Sequence, residues 1–532
     1  MMGNKKLQVW LPLIFSLVMI AGMMLGYKLG SQGGSNSRFF SSNKRSSLQE
    51  ALDIIKLKYV DSVQMDSLEG KAIQEIMNEL DPHSVYLPPV DLKEANEDLA
   101  GNFQGIGVEF NIFRDTVNVV YVMPGGPSEK AGLMIGDKIL KVNDSSIAGR
   151  KLQVDDIKKH IRGPKGSKAS LQILRGAAAK TIDVTRGTIP VSSVDASYMI
   201  DKSTGYIKLN RFTEKSYEEF MEAIEGLKKQ GLKSLVFDLR GNGGGFMNEA
   251  VDIADEFLDG DKLIVYTQGL NSKKIEYRCK RPGQFETGKL VLLVDELSAS
   301  ASEVLAGSLQ DWCRATIIGR RTFGKGLVQQ QYDLSDGAAI RLTIARYYTP
   351  LGRSIQRSYE KGKKVYMDDL WERFNSGEMV SFDSIKNHNG GKKFYNSCKD
   401  TLYGGDGITP GIFIPLDTTL YHQQLSGLLN GSSISSFVYN YYLQHKQQMD
   451  AYASSDDYTK NFSATDDMWT GWQKTALADS INLSAFAGRK KEILQTRMKA
   501  LLARFRWRNT GFYQVLNNDD QAIQKALETI KK

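Results

Sequence analysis

Apolar residues recur along this chain with two periods. Leu48 to Tyr59 and Ser67 to Leu80 place them three and four apart, which predicts two helices with Ile54, Ile55, Ile73, Ile76 and Met77 turned inward. The second ends at Leu80-Asp-Pro-His-Ser84, because Pro82 disfavours helix at the residue before it. From Gly105 the pattern becomes alternation, and Val108 to Phe110, Val117 to Val122, Leu171 to Leu174 and Thr181 to Val184 read as strands. After Thr188, strands and helices take turns. Tyr206 to Leu209, a charged helix over Lys215 to Lys229, Ser234-Leu-Val-Phe-Asp238, a helical run Phe246 to Leu258, Lys289-Leu-Val-Leu-Leu-Val294 and a helix Val304 to Trp312 make an α/β layer signature. Beyond Asp417, Ile434 to Leu443, Phe486 to Phe505 and Gln521 to Ile530 return to helical spacing.

The start of the chain differs from all of this. Leu7 to Tyr27 contains no charge, and as a helix this run of roughly 20 residues would span about 30 Å, the thickness of a bilayer's hydrocarbon core. It has no clean small-x-small cleavage site, so an uncleaved anchor is expected, followed by a flexible Gly/Ser/Asn tether from Gly30 to Ser47. Lys5 and Lys6 before the run face Lys28, Arg38, Lys44 and Arg45 after it, and the count does not decide orientation.

Composition narrows the function classes. At 532 residues the chain is long enough for several hydrophobic cores. Its formal charge of +8 is dispersed, with no long basic block, so nucleic acid is not an expected partner. Cys279, Cys313 and Cys398 are odd in number and far apart, which argues against a disulfide framework and against a cysteine zinc site. Five histidines without an HxxxH arrangement offer no metal motif, and His83 reads as a turn residue. Glu360 to Asp400, polar and weakly periodic, reads as an insertion forming a mobile cover near the site.

Two strand-to-helix junctions carry candidate chemistry. Gly241-Asn-Gly-Gly-Gly245 exposes backbone N–H donors able to hold a phosphate or an oxyanion. Glu296-Leu-Ser-Ala-Ser300-Ala-Ser-Glu303 puts a serine at a helix N-terminus, where it is either a nucleophile or an N-cap paired with Glu303 in a capping box. Gly319 to Lys325 also matches the first part of a P-loop, but Gly326 replaces the required Ser or Thr, and Val328 to Tyr332 alternates like a strand.

Gly105-Ile106-Gly107-Val108, with Ala131-Gly-Leu133 and Gly136-Asp137 behind it, resembles a PDZ domain. A PDZ loop and its strand edge hold the carboxyl terminus of an extended peptide. The Ser300 segment together with Gly319-Arg-Arg-Thr-Phe-Gly-Lys325-Gly-Leu-Val-Gln329 resembles the C-terminal (tail-specific) processing peptidases. The resemblance covers about Leu48 to Ile355 and resumes at Tyr403 to Pro415, departing at Gly411, where the family usually has Asp. It implies an α/β fold with a crotonase-like (ClpP-like) catalytic core, an inserted β-rich PDZ domain and helical N- and C-terminal regions. The implied layout is anchor and tether 1–47, helical region 48–101, PDZ 102–187, peptidase core 188–416 with an insertion at about 360–400, and helical accessory domain 417–532.

Carried over by residue, the resemblance makes Ser300 the nucleophile, Lys325 the general base and Gln329 its support. Backbone N–H groups of Gly243, Gly244 and Ala301 become the oxyanion donors. Lysine can act as a base only if burial brings its pKa far below about 10.4. Implied besides are protein or peptide substrates with exposed carboxyl termini, no cofactor, and membrane association through the N-terminal segment at the inner (cytoplasmic) membrane, with the catalytic part periplasmic. The accessory domain is expected to serve an oligomer contact or an adaptor, and a PDZ lying ahead of the core suggests gating by tail binding. The rival from another class is an inactive membrane-tethered PDZ scaffold.

Overall fold

The computed structural model describes residues 10, 15–25, 46–386, 392–421, 423–478 and 481–532. Nine of the 21 residues of the expected anchor Leu7–Tyr27 and nearly all of the tether lie outside them; among the described residues no helix is long and apolar enough to cross a membrane. The chain divides into two units, 1–72 and 73–532. The first contains α1 (Ser47–Lys58), capped by the Ser46 hydroxyl and without a buried residue. The division falls inside α2 (Met65–Leu80). Of the five residues expected to turn inward here, only Met77 is buried, while Ile54 and Ile76 are exposed. Periodicity marks a face without saying whether anything covers it.

In the larger unit, β1 (Val85–Leu87) and α3 (Pro89–Ala100) lead into β2 (Asn102–Gly105). A β-rich lobe follows: β3 (Val108–Phe113), β4 (Thr116–Val122), β5 (Lys138–Val142), α4 (Val154–Ile161), β6 (Lys168–Arg175) and β7 (Ala178–Thr185). Its sheet runs β3-β4-β5-β6-β7, and among the described residues one edge of β3 has no partner strand. Val117, Val119, Ile139, Leu171 and Ile173 pack with Ile157 and Ile161 of α4. The chain leaves and returns through one antiparallel ladder, β2 against β8 (Gly187–Pro190), with Gly105 opposite Gly187.

The α/β lobe is a six-stranded sheet of β9 (Val194–Met199), β10 (Thr204–Leu209), β11 (Ser234–Asp238), β14 (Lys289–Val294), β15 (Thr316–Gly319) and β18 (Ile412–Phe413), in that order and parallel except for β9. Helices α5 (Ser216–Lys229), α6 (Met247–Asp255) and α7 (Ala301–Asp311) join the strands. Helix α5 turns Phe220, Ile224 and Leu227 inward, with Glu218 and Glu219 in its first turn and Lys228 and Lys229 in its last, the polarity the helix dipole favours. Strand residues alternate between faces: Leu235, Phe237, Leu290 and Leu292 pack toward these helices, Val236, Val291 and Leu293 toward the other side. Burial of both faces explains the continuous apolar runs. A second sheet, β1-β17-β12-β13 with β16 paired to β17, contains β12 (Leu263–Gln268), β13 (Ile275–Arg278), β16 (Leu327–Asp333) and β17 (Ala339–Tyr348).

Two expectations need correction here. Residues 417–532 are not wholly a separate accessory domain. Most of them, including α9 (Ser432–Gln444) and α10 (Arg489–Leu516), build a core around Trp472, Tyr458 and Met498. Helix α11 (Gln521–Lys531), however, covers the outer face of the six-stranded sheet through Ala522, Ile523, Ala526 and Ile530. Asp520 caps it, accepting from the Ala522 and Ile523 N–H groups, and receives Arg240 Nη1 at 2.7 Å. Arg240 in turn grips Asp238. Burial alone would raise that carboxyl; Arg240 and Lys208 outweigh it and hold it below the usual carboxylate range. The second correction concerns cysteines: Cys313 and Cys398 form a disulfide across 85 residues, and only Cys279 is free. The insertion returns its end to the C-terminus of α7, which sequence distance conceals.

Candidate active site

Strand β14 ends at Val294, and the turn that follows is stitched to the glycine loop after β11. Asp295 Oδ1 accepts from Gly241 N–H at 2.9 Å, and the Asn242 carbonyl accepts from Ala299 N–H at 3.0 Å and Ser302 Oγ at 2.9 Å. Asn242 is fully buried, donating its amide to the Leu209 carbonyl at 3.0 Å. Gly244 lies against the serine: a Cβ there would come within 2.7 Å of the Ala299 carbonyl oxygen and 2.8 Å of Ser300 Cβ, and its φ is +98°. Only glycine allows both that approach and that conformation.

Ser300 stands half-buried at the N-terminus of α7 with φ 56° and ψ −114°, a strained conformation for a non-glycine residue. Its N–H donates to Glu303 Oε2 at 2.8 Å. That much fits the capping reading, but the carboxylate does more. Glu303 also accepts from Lys325 N–H at 2.9 Å, Gly324 N–H at 2.7 Å and the Thr322 hydroxyl at 2.5 Å. It is fully buried; burial raises its pKa, while these four donors oppose the rise. One carboxylate thus fixes the backbone of both motif segments at a common point.

From there the Lys325 side chain reaches Gln329, whose Oε1 accepts from Nζ at 2.9 Å. The Gln329 amide donates from Nε2 to the His83 carbonyl at 2.5 Å, which fixes its oxygen toward the lysine. Burial, and then the like charge of Arg341, lowers the Lys325 pKa from 10.5 to about 8. Tyr347 supports the same segment: its buried phenol donates to the Lys325 carbonyl, and burial raises its own pKa well above 10. The Ser300 side chain also acts on this phenol, in the lowering direction.

His83 is more than a turn residue, though it is not placed as a base. Its backbone N–H donates to Asp81 Oδ1 at 2.8 Å, its ring Nε2 lies 2.9 Å from the Tyr366 hydroxyl, and burial followed by Lys325 lowers its pKa to about 3. The ring is therefore neutral and serves to hold its carbonyl on Gln329. Tyr366 belongs to α8 (Lys363–Asn375), in the insertion expected to be a mobile cover. That helix packs onto the segment before Lys325, with Arg373 donating to the Thr322 carbonyl at 2.8 Å, and just beyond the helix Glu378 accepts from Arg321 at 2.7 Å.

Glu303 joins the Ser300 and Lys325 backbones, Lys325 Nζ donates to Gln329, and Gly244 of the glycine loop lies against the serine. It changes one assignment within that loop. Gly244 N–H already donates to Asn242 Oδ1 at 2.9 Å, so Gly244 supplies close approach rather than an oxyanion donor. Among the hydrogen bonds of the described residues none uses the N–H of Gly243, which is exposed, or of Ala301. Sequence reasoning saw Glu303 only as a cap and missed Asn242 and Tyr347; the Ser300-x-x-Glu303 spacing was the one signal available.

In the β-rich lobe, Gly107 takes φ +75°, and the carbonyls of Ile106 and Gly107 accept from Ser128 and Met123 N–H groups at 3.0 Å each. This leaves the Gly105-Ile106-Gly107-Val108 turn beside the open edge of β3. A cavity of about 300 Å³ lies there, lined by Ile106, Val108 and Phe110 and by Val154 and Ile161 of α4.

Parts of the chain match known families and proteins. Residues 203–362 match Peptidase family S41, residues 119–175 a PDZ domain, and residues 424–508 a family of unknown function (DUF8443). The chain is 34% identical over 336 residues to the carboxy-terminal processing protease CtpA of Bacillus subtilis, covering 63% of this chain and 70% of that protein. It is 36% identical over 292 residues to a probable CtpA-like serine protease of Staphylococcus epidermidis, covering 54% of this chain and 59% of that one, and so spans less than two thirds of this relative's length. A solved photosystem II D1 C-terminal processing protease shares 31% identity over 58% of this chain and 84% of its own, with a TM-score of 0.34.

Proposed function

We propose a function from the premise that the chain belongs to peptidase family S41, the family of the carboxy-terminal processing proteases, and carries a PDZ domain. It is a serine endopeptidase with a Ser-Lys dyad that captures substrate carboxyl termini on the PDZ domain. The observation that carries this reading is the shared carboxylate of Glu303, which holds the Ser300 and Lys325 backbones together while Gln329 aims the lysine amine. On this reading the α/β core is of the crotonase-like (ClpP-like) kind and the PDZ is an insertion leaving and returning through the β2–β8 ladder.

Neutral Lys325 takes the Ser300 proton as the hydroxyl oxygen attacks the scissile carbonyl. The oxyanion forms beside the N–H groups of Gly243 and Ala301, the latter at the N-terminus of α7, where the helix dipole favours negative charge. The tetrahedral intermediate collapses, the amide C–N bond breaks, and Lys325 returns the proton to the leaving amine. Water then enters, gives its proton to Lys325 and attacks the acyl ester, and Ser300 leaves with that proton. Nothing in this sequence calls on a histidine.

The apolar run Leu7–Tyr27 supports an anchor in the cytoplasmic membrane, and the family resemblance favours a catalytic part on the periplasmic side, so the substrates are envelope proteins with accessible tails. A homo-oligomer or an adaptor docking on the C-terminal helices completes the proposal. The test is cleavage of an unfolded protein with an apolar carboxyl terminus in the presence of a metal chelator, comparing the wild type with Ser300→Ala and Lys325→Ala. Activity in the wild type alone supports the reading. Tail binding without cleavage by the wild type would favour a scaffold, and normal cleavage by Lys325→Ala would remove the base.

A further inference from the structure

The PDZ groove is not built by the β-rich lobe alone. Arg504, from helix α10 within the segment that matches a family of unknown function, lines the same cavity as Ile106, Phe110 and Val154. Its Nη2 donates to Glu109 Oε2 at 3.2 Å and its Nε to Asn509 Oδ1 at 3.0 Å; among the described residues its Nη1 has no bond. Glu109 lies on β3, the strand along which a tail would be added. Arg508 reaches the same carboxylate and sits 3.4 Å from the centroid of the Tyr121 ring, the residue paired with Glu109 across the sheet. Two guanidinium groups therefore share one carboxylate; Asp195 is a further acidic group acting on Arg504 and Arg497 a like charge beside it, so three arginines face two carboxylates and the cluster stays net positive beside the groove.

The placement of Arg504 is held from several sides. Arg508 has φ 55° inside α10, so the helix kinks there, and Asn509 donates to Asp195 of β9 at 2.9 Å. Tyr439 of α9 donates to the Val119 carbonyl at 3.3 Å, and Tyr439 and Phe505 pack with Phe113 and Val120. These contacts fix the helical region on the β-rich lobe at the open edge of β3. Lys158 and Arg162 also line the cavity; each has acidic neighbours, Asp155 at 3.0 Å and Glu94 and Glu97 at 3.9 Å, so the cation that α10 adds to the lining is Arg504, within a cluster of three arginines and two carboxylates.

We propose that Arg504 is a specificity-determining residue that selects tails carrying an acidic side chain upstream of an apolar carboxyl-terminal residue. The proposal rests on the reading of the β3 groove as the tail-binding site. The apolar lining takes the terminal side chain, the Gly105–Val108 turn takes the carboxylate, and a carboxylate further back reaches the guanidinium. Side chains of an added strand alternate in direction, so only some of the nearby tail positions face α10.

The test uses the full chain with Ser300→Ala, so that peptides bind without being cut. Fluorescence anisotropy measures the Kd of labelled ten-residue peptides ending in Leu-Val, with Glu, Gln or Lys at each of the three preceding positions in turn. The expected result is a Glu peptide that binds about fivefold more tightly than its Gln counterpart at one position, the worth of one half-exposed charge-assisted contact. Arg504→Gln abolishes that preference, Arg504→Lys keeps part of it, and Arg504→Glu turns it toward the Lys peptide. A merely structural role would weaken all peptides together. Equal binding of Glu and Gln peptides, or a preference that survives Arg504→Gln, overturns the inference and leaves the groove reading intact; no binding by any peptide overturns both.

Discussion

On the proposed Ser-Lys reading, the lowered pKa of Lys325, about 8, makes the pH dependence of cleavage a direct readout of the site. Only the neutral amine can accept the Ser300 proton. With a pKa of about 8, roughly one-tenth of Lys325 is neutral at pH 7, half at pH 8 and nine-tenths at pH 9. Between pH 7 and 9, kcat/KM should therefore rise about tenfold, with unit slope below the midpoint and a plateau above it. His83 does not contribute, because its pKa of about 3 keeps it neutral throughout. The perturbation that identifies the group is Arg341→Met. Arg341 is the like charge that helps lower Lys325, so its removal should move the midpoint upward and leave the plateau height nearly unchanged. Initial rates on an internally quenched peptide, at constant ionic strength from pH 6 to 9.5, measure both profiles. A flat profile, a midpoint near 6.5, or a midpoint unmoved by Arg341→Met would refute the assignment.

Three further outcomes follow from named contacts. Gln329→Leu removes the acceptor at 2.9 Å from Lys325 Nζ and should lower kcat by about 10- to 100-fold with KM little changed, whereas Gln329→Glu adds a charge that favours the ammonium and should shift the pH midpoint upward; steady-state kinetics distinguish the two. Gly244→Ala should cost at least about 100-fold in kcat, since its Cβ has no room against Ala299 and Ser300, while Gly243→Ala, with nothing within 4 Å of its Cβ, should stay within about threefold of wild type. Cys398→Ser opens a loop closed across 85 residues and should lower unfolding stability by up to about 4 kcal/mol, seen as a lower Tm that a reductant reproduces in the wild type. A Tm indifferent to both would show that this disulfide does not stabilise the fold.

Much of this was legible in the chain because local pattern and burial coincide there. The apolar runs of β11 and β14 are continuous since both sheet faces are covered, and the motifs around Ser300 and Lys325 stand at turns the strands define. What stayed hidden depends on distance or on occupancy. Glu303 looks like a surface cap until burial and the Thr322–Lys325 backbone are seen around it. Helix α11 has an apolar stripe, but a stripe does not reveal that it closes the catalytic sheet. Ile54 and Ile76 obey helical spacing and yet are exposed. Gly244 could be read as a donor because a glycine loop says nothing about which N–H groups Asn242 has already taken. Arg504 lies nearly 400 residues from Glu109, beyond the reach of any local pattern.

The central claim is that Ser300 forms the acyl bond and depends on Lys325 to do so. The most direct measurement is intact-mass and peptide-level mass spectrometry of the protein quenched in acid during turnover of a carboxyl-terminally tailed peptide. The account predicts an adduct of the amino-terminal product on Ser300, present in the wild type and absent in Ser300→Ala and Lys325→Ala. An adduct on another residue, or an undiminished adduct in Lys325→Ala, would contradict it.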